Sequence, residues 1–284
     1  MENNAHNPPL SLSGTALKTI AAIAMLMDHI AYFFDFTGRI PGWFGAVGRL
    51  AAPLFLFCAA EGFAHTRSRL KYFLRIYLMA AVMGGTLFFM RFAGLGVRGD
   101  GFYPQNSILT ALALMIAIWQ GIDLLRERRI VRGALYVLFP LLWPWIASAL
   151  FTALPGHETL LGFACYTFLP IWNITGDTSL PVIVTGVLLY ALRDNRRAQL
   201  IGFVGWQMLY HFVFVGAIVS GVDGFTPIHM LTMYYEWLGA FAAVLMLCYN
   251  GKRGSGHKAL FYAFYPVHVY GLYALSCVLY LVMR

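Results

Sequence analysis

From Leu17 onward the chain is a succession of apolar stretches, each closed by a short polar or basic interval. That pattern constrains the fold more than any other feature. A helix of about 20 apolar residues matches the ~30 Å hydrocarbon core of a bilayer. Inside that layer no water satisfies the backbone, so only helices and closed barrels can cross it. Barrel strands would alternate apolar and polar positions over about ten residues, and no such alternation is seen. The expected fold is therefore all-α, a polytopic membrane bundle. Composition agrees: 60% of the residues are hydrophobic and 11% charged, against about 25% charged in soluble domains. Mean hydropathy is +0.68. These values exclude a soluble enzyme, a disordered chain and a disulfide scaffold. A length of 284 residues leaves room for roughly nine or ten spans and no separate soluble domain. The expectation is a single transmembrane domain over 1–284, with a polar N-terminal segment at 1–16.

Spans are expected near 17–36, 47–64, 72–92, 106–122, 134–153, 178–192, 199–220, 228–249 and 259–282. The apolar stretch from Leu160 to Trp172 is short for a crossing. It reads as a re-entrant or interfacial piece near 160–176, and a ten-span arrangement is the alternative. The formal charge of +8 bears on orientation rather than on nucleic acid, because Lys and Arg mark the cytoplasmic side. Lys18, Arg67, Arg69, Lys71, Arg75, the group Arg126 to Arg132, the group Arg193 to Arg197, Lys252, Arg253 and Lys258 share one side under the nine-span scheme. These are fifteen of the twenty basic residues. The expectation is a bacterial cytoplasmic (inner) membrane with the N-terminus in the cytoplasm.

Ionisable groups inside spans are costly and mark functional candidates. Lys18 and His29 are eleven positions apart, which is about 20° beyond three helical turns and about 16 Å of rise. They share a face, with the lysine at the surface and the imidazole near mid-membrane. Such a pair suits a base reached by a ligand whose anionic end stays outside; a packed histidine and a plain anchor is the structural alternative. Asp28 either balances that imidazole through a neighbour or pairs with Arg49. Glu61 and His65 share a helix face and lead into Arg67, Arg69 and Arg75, which mark topology or hold phosphates. His268 follows Pro266, whose missing N–H frees a carbonyl for it; it is either a packing partner or a pocket residue. The four cysteines form no CxxC pair and no histidines have zinc-like spacing, so no metal site is expected.

Several blocks carry a family resemblance. Leu17-Lys18 through Met25-Leu26-Met27-Asp28-His29-Ile30 resembles the opening of the TraX family, named for the conjugative-pilin acetylase. So do Gly48-Arg49-Leu50-Ala51-Ala52-Pro53-Leu54-Phe55, Glu61-Gly62-Phe63, His65-Thr66-Arg67, Asn106 to Ala113, and Phe264-Tyr265-Pro266-Val267-His268. A basic residue, ten others, then His on the first helix is also similar to membrane acyltransferases that O-acetylate bacterial polysaccharides. Arg75-Ile76-Tyr77 looks like their third-helix basic motif, with Tyr72 where a second Arg would fall. The resemblance implies transfer of an acetyl group from cytosolic acetyl-CoA, a cosubstrate, to a protein N-terminus or a glycan. The expected catalytic residues are His29, Asp28 and Glu61, with Lys18, Arg49, Arg67, Arg69, Arg75, Asn106, Tyr265 and His268 expected to bind substrate, and no metal and no nucleic-acid partner are expected. A small-substrate transporter or flippase and a structural subunit of a membrane complex are the competing readings.

Overall fold

In the computed structural model, residues 11–256 and 258–283 are described. Most of the polar N-terminal segment, residues 1–10, lies outside them. The described residues form helices and connecting turns, with two isolated bridges, Leu12 to Tyr249 and Asn173 to Ser179, in place of a sheet. The helices are α1 (Gly14–Phe34), α2 (Trp43–Gly48), α3 (Ala51–Ala64), α4 (Arg69–Ala93), α5 (Ile108–Arg126), α6 (Ile130–Ala153), α7 (Glu158–Thr167), α8 (Leu180–Ala191), α9 (Arg196–Met208), α10 (Gly216–Val219), α11 (His229–Thr232), α12 (Ala242–Leu247) and α13 (Lys258–Val282). A π-helical stretch, Leu209–Val215, joins α9 to α10, and a 3₁₀ stretch, Tyr235–Phe241, leads into α12.

Seven of these helical segments are long and apolar enough to cross a membrane, rather than nine or ten. They are Gly14–Thr37, Trp43–Ala64, Arg69–Ala93, Ile108–Arg126, Ile130–Ala153, Arg196–Val219 and Phe261–Val282. The two other expected spans correspond to shorter helices, Leu180–Ala191 and Tyr235–Leu247. A twelve-residue α-helix such as α8 rises only about 18 Å. The stretch expected to re-enter the membrane holds the ten-residue α7 and then an irregular turn closed by Asn173 and Ser179.

Local signals explain the helix ends. Ser13, Ser68 and Asn195 cap α1, α4 and α9 by accepting from a backbone N–H three residues on. Gly94 ends α4 in the left-handed conformation that glycine adopts without strain.

The chain divides into two compact units. One comprises residues 1–60 and 192–268, and the other 61–191 and 269–284. In the second, α5 is the core: thirteen of its 19 residues are buried, against four of 24 in α6. Trp119 on α5 donates to the Gly186 carbonyl on α8 and stacks on Tyr190. The outward apolar side chains of α6, including Val131 at 74% exposure and Leu135, would be untenable in water and are natural against lipid. In the first unit, α1 buries one stripe, Leu17, Ala21, Ala24, Met25, His29 and Phe33. This stripe carries the residues described next.

Candidate functional site

A polar residue sits at one position of that apolar stripe. His29 is 5% exposed, and its Nδ1 lies 2.7 Å from Nε2 of His268 on α13. The two rings are nearly parallel, 10° apart, with centroids 4.8 Å from each other. His268 Nδ1 donates in turn to the Phe264 carbonyl at 2.6 Å. Phe264 stacks on the opposite imidazole partner of His29 at 4.3 Å. The carbonyl used is one turn back along α13, in place of the one that Pro266 was expected to free. Phe33 and the buried Tyr265 approach the His29 ring edge-on and tilted. Burying two imidazoles without partners would cost about 1–3 kcal/mol for each unmet group; pairing them across helices removes that cost.

The partner of Asp28 is Arg49, which forms an ion pair and hydrogen bond with it. Of the two arrangements open to Asp28 in the sequence, the structure takes the pairing with Arg49. Gly48 makes this approach possible. A Cβ there would overlap the Asp28 side chain, so only glycine lets α2 come this close to α1. Arg49 Nε also donates to the Gly45 carbonyl at 3.1 Å, which fixes the guanidinium against its own helix.

Lys18 lies over the Phe261 ring, 6.0 Å from its centroid, while His29 meets His268. Ascending α1 from 18 to 29 thus follows ascending α13 from 261 to 268, so the two helices run in the same direction. Their N-terminal ends are stitched together: Thr15 Oγ1 donates to the carbonyls of Arg253 and Ser255, at 3.0 and 2.8 Å. Lys18, Lys252 and Arg253 therefore belong to one basic rim, and the buried imidazoles lie about 16 Å along the helices from it.

The remaining expected residues belong to the second unit. Glu61 is half-buried, and its backbone carbonyl lies 2.9 Å from His65 Nδ1. Arg67 and Arg75 are exposed. Asn106 is half-buried beside Ser107, whose hydroxyl meets that of Thr178 at 2.5 Å. Arg69 is engaged within the protein: Nη2 donates to Asp123 at 2.5 Å, Nη1 to Gln120 at 3.1 Å, and the guanidinium covers Phe63. Tyr190 donates to the same Asp123 oxygen at 2.7 Å. Sequence reasoning missed Asp123, although a single carboxylate in the apolar run 108–126 was the signal. It also missed Arg98, which has a buried guanidinium held by Asp100 at 2.8 Å and by Ser276 at 3.1 Å. The Arg98 hydrogen bonds hold the Asp100 carboxyl below its usual range. Among the described residues no group of three or more His, Cys, Asp or Glu is placed to hold a metal ion.

A family model described as TraX protein matches residues 13–173. The chain is 30% identical to a protein of Dichelobacter nodosus named "Probable fimbrial assembly protein FimC, serogroup H1", over 273 residues that cover 92% of this chain and 94% of the relative. No solved structure matches.

Proposed function

Because the chain belongs to the TraX family, we propose that it is an integral membrane acetyltransferase that moves an acetyl group from cytosolic acetyl-CoA to an amine or hydroxyl acceptor. The observation that carries this reading is the buried His29–His268 pair lying one helical stretch below a basic rim. Imidazole is the side chain whose ordinary pKa, about 6.5, suits proton transfer near neutral pH. CoA carries phosphates, and Lys18, Lys252 and Arg253 supply positive charge at the rim. The distance from rim to imidazole, about 16 Å, is one that the extended pantetheine arm of CoA can reach.

In the proposed reaction the acceptor nitrogen or oxygen attacks the thioester carbonyl carbon. Its proton passes to His29 as the new bond forms. The C–S bond breaks, and the departing CoA thiolate takes that proton to leave as the thiol. The products are the acetylated acceptor and free CoA. The protein sits in the cytoplasmic membrane of a bacterium with its N-terminus inside, so that the basic rim faces the acetyl-CoA pool. The relative in Dichelobacter nodosus is named for fimbrial assembly, which supports a fimbrial subunit as the acceptor.

The test is acetyl-CoA binding and thiol release by the purified protein, wild type against His29→Ala. A positioned general base contributes about 10²–10⁴-fold, so turnover is expected to fall by that factor while acetyl-CoA still binds. Wild-type protein that neither binds nor cleaves acetyl-CoA, or an alanine variant as fast as wild type, would overturn the assignment.

A further inference from the structure

The imidazole assigned as base has two ring nitrogens, and only one can take a proton from the acceptor. The hydrogen bonds around the pair decide which. The Phe264 carbonyl can only accept, so the proton of their 2.6 Å contact sits on His268 Nδ1. A neutral imidazole carries one N–H, which leaves His268 Nε2 as an acceptor. The His29 Nδ1 placed 2.7 Å from it must then donate. With its single proton on Nδ1, His29 has its lone pair on Nε2.

We infer that His268 is a positioning residue: it holds His29 in the Nδ1–H tautomer and so makes Nε2 the nitrogen that receives the acceptor's proton. The inference rests on the reading of His29 as the base. Free histidine in water favours the opposite tautomer, with the proton on Nε2, which would block the basic nitrogen. The relay from Phe264 through His268 reverses that preference. It repeats with an imidazole and a backbone carbonyl what a carboxylate does for the histidine of a hydrolase triad. Stacking of Phe264 on His268, with ring planes 14° apart, fixes the plane in which Nε2 presents its lone pair. When His29 becomes an imidazolium, its Nδ1–H bond to His268 becomes charge-assisted and strengthens. The pair therefore favours the protonated base at the moment it forms.

The experiment combines nitrogen NMR with two substitutions, all in the full-length protein in detergent or nanodiscs. Histidine labelled with ¹⁵N, with the His29 signals identified by difference against His29→Asn, is expected to show Nδ1 protonated and Nε2 bare in the wild type. His268→Leu removes the acceptor, and His268→Gln places an amide oxygen near the former Nε2. The leucine variant is expected to show His29 protonated on Nε2 and to lose about 10²–10⁴-fold in turnover, with acetyl-CoA binding unchanged. The glutamine variant is expected to restore the Nδ1–H signal and most of the rate. A wild-type signal with the proton on Nε2 overturns the inference, and it needs neither His268 variant to fold. So does a leucine variant with wild-type turnover. If the Nδ1–H tautomer is seen but His29→Asn leaves acetyl transfer intact, the base assignment fails while the tautomer assignment stands, so the two failures are distinguishable.

Discussion

Arginines that look alike along α4 and the turn before it do different work, and each can be separated by what its loss changes. Arg67 and Arg75 are exposed, whereas Arg69 neutralises the buried Asp123, with 37% of its own side chain exposed. Replacing Arg67 and Arg75 together by Gln is expected to change stability by no more than about 0.5 kcal/mol, the usual range for exposed substitutions, read as an unshifted melting temperature. Arg69→Gln is expected instead to lower the thermal midpoint. Breaking a fully buried pair costs about 3–5 kcal/mol, and the exposure of this guanidinium brings the figure below that range.

Between elements, close approach is decided by single small residues. Gly84 of α4 faces the backbone of Tyr166 in α7, and any Cβ there would run into the Tyr166 carbonyl. Gly84→Val is expected to push α7 off α4 and to cost about 1–3 kcal/mol, the usual range for overpacking, read as a drop in melting temperature. The connection from Gly94 to Ser107 depends on a different device. Arg98 is 4% exposed at its side chain and is held by Asp100, while Tyr273 donates to the carbonyls of Gly96 and Phe102. The Asp100 carboxyl is held below its ordinary value of about 3.9. Its contribution is therefore complete above that value and is lost as pH falls through the lower, folded-state value. Protection of the amides across 95–106, relative to the unstructured rate at each pH, is expected to hold down to about pH 4 and to fall below it. Asp100→Asn should show the lower protection at every pH.

At the scale of the molecule, the proposed orientation rests on where the basic residues fall. Arg126, Arg129 and Arg132 surround the tight turn between α5 and α6, and His157 lies beyond the far end of α6. With the native cysteines replaced, Cys at position 129 is expected to resist a membrane-impermeant thiol reagent in intact cells. Cys at position 157 is expected to react. Labelling of position 129 from outside would invert the topology.

How much of this was legible in the sequence depends on the range of the interaction. Membrane helices were legible because hydropathy is a property of consecutive residues, and the alignment of Lys18 with His29 was legible because helical period is local. The number of full-length crossings was not. Apolar composition alone does not reveal that the stretch expected to span at 228–249 is broken into α11, a 3₁₀ stretch and α12, or that α8 stops after twelve residues. The Asp28–Arg49 pair stood as one of two arrangements, and only the contact permitted by Gly48 chose between them. The partnership of His29 with His268 spans 239 positions, and no local rule connects them. Sequence by itself determined that a titratable ring would be buried on the face of Lys18. Tertiary structure alone decided what satisfies that ring, because a buried hydrogen bond takes its partner from whichever helix packing brings alongside, and here that helix is α13.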